Sequence, residues 1–113
     1  MPFIDCKITK KLTDEQKEKL KSGLGAAISN MHKPESYLMV GICDGYDLFF
    51  AGKKLQSGAF VDIRAFGEVN PQDCNKMTAA VCRILSDCAG IESSGVYITY
   101  EGYRNWGWDG GNF

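Results

Sequence analysis

Residues 59–101, AFVDIRAFGEVNPQDCNKMTAAVCRILSDCAGIESSGVYITYE, read as strand, helix and strand in that order. From Ala59 to Phe66, Val61 and Ile63 point one way while Asp62 and Arg64 point the other, the two-residue period of a half-buried strand. The helix that follows has clear ends. Asn70 is its N-cap, Pro71 takes the first helical position, where a missing N–H costs nothing, and Asp73 places a negative charge in the first turn. Met77, Ala80, Val81, Ile84, Leu85 and Cys88 then recur at helical spacing as one apolar stripe, and Gly90 supplies a left-handed stop. Val96 to Glu101 returns to strand character. Two strands joined through one helix are parallel, and their crossover is right-handed.

The first half repeats that order with little identity to the second. Ile4, Cys6 and Ile8 alternate with Asp5 and Lys7 over Pro2 to Ile8, which predicts a strand. Thr13 and Gln16 form a capping box for a helix running to about Met31, whose buried stripe is Leu20, Leu24, Ala27, Ile28 and Met31. Pro34 cannot continue it. Tyr37 to Cys43 is apolar on both faces and is expected to be a strand covered on both sides. Asp44 to Leu55, which runs through Gly45 and Gly52, is a short, irregular segment with room for a hairpin. The predicted fold is α+β: two β-α-β units forming a four-stranded mixed sheet with two helices on one face, in one domain spanning residues 1–113. The helices can cover only one face of the second strand, so the expected cover for the other is another subunit.

Composition narrows the function by exclusion. The 113 residues carry 13 Lys and Arg against 14 Asp and Glu, a formal charge of −1, which argues against a basic nucleic-acid-binding face or a polybasic membrane anchor. No apolar run approaches the ~20 residues of a membrane span, and Met1 to Asp5 shows no secretory leader. The single histidine, His32, excludes multi-His metal centres and reads as a helix-end residue; no metal or cofactor is expected. The five cysteines, at 6, 43, 74, 82 and 88, contain no C-x-x-C pair and read as reduced thiols of a cytosolic protein, with Cys6 and Cys43 as small buried hydrophobes.

Several stretches, taken in order, are familiar. The Met1-Pro2-Phe3 start, the run from His32 to Val40, residues 59–67, the Val96-Tyr97-Ile98-Thr99-Tyr100 strand and the final Trp106-Gly107-Trp108 together resemble the macrophage migration inhibitory factor family of the tautomerase superfamily. The likeness covers essentially the whole chain. It implies a homotrimer whose three sheets enclose a central channel, which would supply the missing cover. It also implies keto–enol tautomerisation of aromatic α-keto acids such as phenylpyruvate, with dopachrome as a non-physiological substrate.

In such proteins the base is an N-terminal proline, here Pro2 after loss of Met1. An α-amino group titrates near ~8 in an open peptide, and burial or a nearby cation disfavours its charged form. A base poised near the working pH needs no histidine. The plainer reading is that Pro2 only starts a strand. By the same resemblance Lys33 binds the substrate carboxylate and depresses the Pro2 pKa; otherwise it is a surface lysine favoured by a helix C-terminus. Tyr97 and Thr99 share a strand face, and the resemblance implies that they belong to the pocket of the neighbouring subunit. Thr99 stands where an asparagine is common, which removes reach toward a substrate hydroxyl. Phe66 takes the place of a pocket-lining aliphatic and Trp108 that of an aromatic wall, while packing at a subunit edge would equally explain Trp106 and Trp108. Asp62 and Arg64 are expected to line the channel as an ion pair without chemistry. Residues 57–61, Ser-Gly-Ala-Phe-Val, lack the cysteine pair on which a thiol-reductase activity would depend. A second function class stays open: a ligand exported without a signal peptide, acting on a cell-surface receptor, in which the pocket is incidental. A ligand-sensing domain of ferredoxin-like type is a third.

Overall fold

A computed structural model describes all residues, Met1–Phe113. Four strands form the main sheet in the spatial order β2-β1-β5-β6, with β1 Pro2–Ile8, β2 Met39–Cys43, β5 Ala59–Phe66 and β6 Val96–Tyr103. The pairs β1–β2 and β5–β6 are parallel, and the two units meet through the antiparallel pair β1–β5, so the sheet is mixed as predicted. Two-residue strands β3 Phe49–Phe50 and β4 Lys53–Lys54 make a hairpin in the irregular segment. The connecting helices are α1 Asp14–Ala27 and α2 Pro71–Ala89.

Both helix starts follow the local chemistry. Thr13 accepts from the Gln16 backbone N–H while the Gln16 side chain accepts from the Thr13 N–H, closing the capping box. Asn70 accepts from the N–H groups of Gln72 and Asp73, and Gly90 ends α2 at φ 64°. α1 is shorter than its stripe suggested. Ile28–Met31 winds on as a 3₁₀ turn that ends at His32 in the left-handed region, φ 57°. The tighter turn still buries Ile28 and Met31.

The core is a single layer between the helices and one sheet face. Ile4, Cys6 and Ile8 of β1, Val61 and Ile63 of β5, Leu20 and Leu24 of α1, and Met77, Val81 and Leu85 of α2 are all fully buried. Each large aliphatic removed from water in this way contributes roughly 1.5–3 kcal/mol. The helices approach closely because α1 presents Gly23 to Ile84 of α2; a Cβ there would stand 2.9 Å from the isoleucine branch.

Two expectations need correction. Tyr37 is not in a strand: Glu35–Tyr37 is a 3₁₀ turn, forced where Pro34 interrupts the chain, and β2 starts at Met39. β2 is an edge strand of which the chain covers one side, as expected, and the second correction is to Cys43, read as a small buried hydrophobe. Leu38, Val40 and Ile42 pack on the core, whereas Met39 is 68% exposed and Cys43 is exposed too. Cys6 alone is the buried hydrophobic thiol, its pKa pushed up to about 12 by burial first and by the neighbouring Asp5 second. The C-terminal tail also holds an element not predicted: Gly107–Trp108 (β7) and Gly111–Asn112 (β8) form a hairpin. It turns at Asp109 (φ 50°) and Gly110 (φ 84°), the positive-φ pair that an Asp-Gly dipeptide supplies.

Candidate active site

Pro2 opens β1 opposite Ala65 of β5, and its ring is fully buried at the end of the sheet. This end is hollow. A cavity of about 670 Å³, open to solvent, is lined by Pro2, Phe3, Tyr37, Arg64, Tyr103 and Trp108 among others. Its volume lies in the range of small-molecule sites.

The groups around the chain start are tied together through the backbone of one residue, Phe66. The Phe66 N–H donates to the Met1 carbonyl at 2.9 Å, and the Phe66 carbonyl accepts from Lys33 Nζ at 3.0 Å. Lys33 reaches that position because the left-handed His32 turns the chain between the end of α1 and Pro34. The Met1 ammonium is held below its ordinary pKa, first by burial and then by the Lys33 charge. The Met1 amine is thus biased toward its neutral, basic form. The Met1 carbonyl oxygen shows what the Phe66 N–H can take: one acceptor oxygen beside the Pro2 nitrogen.

The C-terminal hairpin builds an aromatic wall. Trp108 meets Tyr37 edge-on, ring centroids 6.2 Å apart, and lies nearly parallel to Phe113 at 6.4 Å. Phe113 packs in turn on Phe66 at 5.4 Å.

The structure therefore brings Pro2, Lys33, Phe66 and Trp108 to one end of the sheet, but not in equal roles. Trp108 and Pro2 face the cavity. Phe66 joins the site through its peptide group, with its ring behind the wall. Lys33 lies on the far side of the Phe66 carbonyl and lines a separate hollow of about 210 Å³ with His32 and Asp73. His32 itself is exposed, its Nε2 3.4 Å from an Asp73 carboxylate oxygen.

Tyr97 and Thr99 are elsewhere in the chain. Tyr97 is paired with Phe60, five residues along β5 from Ala65, or about 17 Å at the ~3.4 Å rise of a strand. It is 59% exposed and packs on Phe50 of the β3–β4 hairpin, centroids 5.5 Å apart. The Thr99 hydroxyl donates to Asp62 Oδ1 at 2.7 Å. Neither side chain can serve the Pro2 cavity of its own protomer.

Arg64 is the residue whose placement the sequence reading missed. It does pair with Asp62, Nε to Oδ2 at 2.8 Å, as expected of that strand face, but it also forms part of the cavity wall. The sequence carried no signal for this: Arg64 comes near Pro2 through the strand register, which sets the next residue, Ala65, opposite Pro2. Asp62 loses some charge stability to burial, yet its bonds from Thr99 and Arg64 outweigh that and hold its pKa below the usual carboxylate value. No three His, Cys, Asp or Glu side chains converge as metal ligands, and no helix is long and apolar enough to cross a membrane.

Comparison with known proteins places this geometry. No curated protein sequence matches the chain. Among solved structures, Leishmania major MIF2 is 26% identical over 100% of this chain and 97% of its own, with a TM-score of 0.91. A macrophage migration inhibitory factor-like protein of Entamoeba histolytica is 25% identical over 99% of this chain and 98% of its own, TM-score 0.86. A fused 4-OT, solved as a symmetric trimer, shares the fold at 16% identity, over 96% of this chain and 93% of its own, TM-score 0.85. The sequence model described as macrophage migration inhibitory factor (MIF) matches residues 1–113. The chain belongs to the macrophage migration inhibitory factor family.

Proposed function

We propose that the chain, as one domain, is a keto–enol tautomerase of the phenylpyruvate and dopachrome type, with Pro2 as its general base once Met1 has been removed. The observation that carries this reading is the arrangement at the chain start. A buried proline opens into a cavity, and the Phe66 N–H beside it is bonded to a residue that initiator processing would take away. Processing does two things at once. It turns the Pro2 amide nitrogen into a secondary amine, and it frees the Phe66 N–H for a substrate oxygen.

The reaction then balances within these groups. The Pro2 lone pair takes a proton from the carbon next to the keto group, and the C–H electrons move to the carbonyl oxygen. The resulting pyrrolidinium returns its proton to that oxygen, giving the enol; the reverse order returns the keto form. Negative charge grows on the oxygen during the step, where the Phe66 N–H and the nearby Lys33 charge stabilise it. Trp108 and Tyr37 offer faces and edges for an aromatic ring.

We further propose the homotrimer. The sheet face opposite the helices leaves Met39 and Tyr97 exposed in the single chain, and a neighbouring copy would both cover them and deliver Tyr97 to a cavity that its own protomer denies it. The test is ultraviolet decay of enol phenylpyruvate with protein whose intact mass lacks Met1. Pro2→Gly should lose most of the activity while sedimentation still gives a trimer. Full activity in that variant would refute Pro2 as base.

A further inference from the structure

The cavity beside Pro2 has a charge pattern that a neutral aromatic ring does not use. Of the 13 residues on its wall, Arg64 is the only one with a side chain charged at neutral pH. No acidic side chain reaches that surface to neutralise it.

The guanidinium is held in place rather than free to sweep. Its Nε donates to Asp62 Oδ2 at 2.8 Å, and the other oxygen of that carboxylate is fixed by the Thr99 hydroxyl at 2.7 Å. Asp62 engages one of the five guanidinium N–H donors and leaves the terminal nitrogens for another partner. A fixed planar donor is what bidentate binding of a carboxylate requires. Because Asp62 already offsets part of the charge, the gain comes from directed hydrogen bonds more than from a long-range field.

Position separates this donor from the one near the base. Along β5 the order is Arg64, Ala65, Phe66, with Ala65 opposite Pro2. The Phe66 N–H and Lys33 lie beyond Pro2 on one side, whereas Arg64 stands on the cavity wall on the other. A substrate whose keto-acid end sits at Phe66 would extend its far end toward Arg64. We propose that Arg64 binds a second acidic group of the substrate, so that the preferred substrates are dianions: α-keto acids with a carboxylate or similar acid at the end remote from the keto group. This rests on the tautomerase reading for the placement of the keto-acid end, but the binding by Arg64 can be measured without turnover.

Trp106 and Trp108 line the cavity, so their fluorescence reports its occupancy. The probes are phenylacetate and para-carboxyphenylacetate, titrated at constant ionic strength into protein lacking Met1. Para-carboxyphenylacetate should bind about tenfold more tightly than phenylacetate, the contribution of one charge-assisted pair at a partly solvated site. In Arg64→Gln that ratio should fall to near one, and Arg64→Lys should keep part of it. Lys7→Gln removes a charge from the same sheet face outside the cavity and should keep the ratio. Equal affinities in the unsubstituted protein, a preference that survives in Arg64→Gln, or its equal loss in Lys7→Gln would each overturn the assignment. If the binding preference follows Arg64 while neither phenylpyruvate nor its para-carboxy derivative is tautomerised, the activity reading falls and Arg64 as an acid-binding residue stands.

Discussion

A one-residue extension separates the chemistry of the amine from the integrity of the fold. With Ala inserted between Met1 and Pro2, initiator processing leaves a chain that begins Ala-Pro. The Pro2 nitrogen is then an amide and has no useful proton affinity. The fold is not asked for anything new, because a residue already precedes Pro2 in the structure and its carbonyl accepts the Phe66 N–H at 2.9 Å. The alanine carbonyl takes that place. One such bond contributes about 0.5–1.5 kcal/mol, so the extended chain should melt at the same temperature or a few degrees higher than the processed one. Loss of a general base costs on the order of 10²–10⁴ in rate, or roughly 3–5 kcal/mol of transition-state stabilisation. Activity and stability should therefore move in opposite directions, which damage to the fold cannot produce. The assay is the initial rate of enol phenylpyruvate decay in the ultraviolet, with a thermal melt and an intact mass on the same sample. An Ala-Pro chain that turns over within threefold of the Pro2-start chain would refute the amine as base.

Three further outcomes follow from the same contacts. kcat/KM should fall as pH drops through the pKa of the chain-start amine, with a midpoint below the ordinary α-amino value, because burial and Lys33 both disfavour the charged form; Lys33→Gln removes the second cause and should raise the midpoint, and a midpoint unmoved by it would show that Lys33 is not coupled to the base. Asp62→Asn should lower urea stability at neutral pH. The native Asp62 pKa is depressed, so its contribution is present above the unfolded carboxylate value and is lost as pH falls through the native one; the gap between parent and variant should close in acid, and a gap that persists there would mean packing rather than charge. Leu85→Ala empties a fully buried position between α2 and the sheet and should cost about 2–5 kcal/mol by denaturant titration, whereas a loss under 1 kcal/mol would show that the core relaxes into the space.

The helices and central strands were legible because each is specified locally and again by its burial pattern. Asn70, Pro71 and Gly90 mark the ends of α2, and its stripe matches the side that packs into the shared core. Where these two sources disagree, the reading slipped. Tyr37 continues an apolar run, yet the turn set up by Pro34 holds it in a 3₁₀ conformation, and burial periodicity carries no information about that. Cys43 looks like a core residue by composition, but a single chain has nothing to place over the outer side of the edge strand β2. The C-terminal hairpin was signalled only by Asp109-Gly110 between very short arms. As for the site, Pro2 and Trp108 could be found by resemblance. The cavity contact of Arg64 could not, because alternation assigns a side chain to a face and says nothing of how far a long side chain reaches along it.

The open face of the sheet is organised around that same arginine. Asp5 and Asp62 stand directly opposite each other on β1 and β5, a like-charge pair that by itself would destabilise the ladder. Each is neutralised from two residues up its own strand, Asp5 by Lys7 at 2.8 Å and Asp62 by Arg64 at 2.8 Å. The two acids at the centre are thus flanked by one base on each side, and Lys7 also acts favourably on Asp62. A face neutralised in this way can be covered by another copy at a smaller desolvation cost than one with unpaired charges. The aromatic and thioether groups at its edges, Tyr97 and Met39, supply apolar area for such a contact. Arg64 thus belongs to two systems at once: its Nε completes the charge pairing of the face, and its terminal nitrogens are left to the cavity. Replacing it would disturb both, which is why its role in ligand binding has to be read as a ratio between two ligands in the same variant and not as a loss of affinity for one.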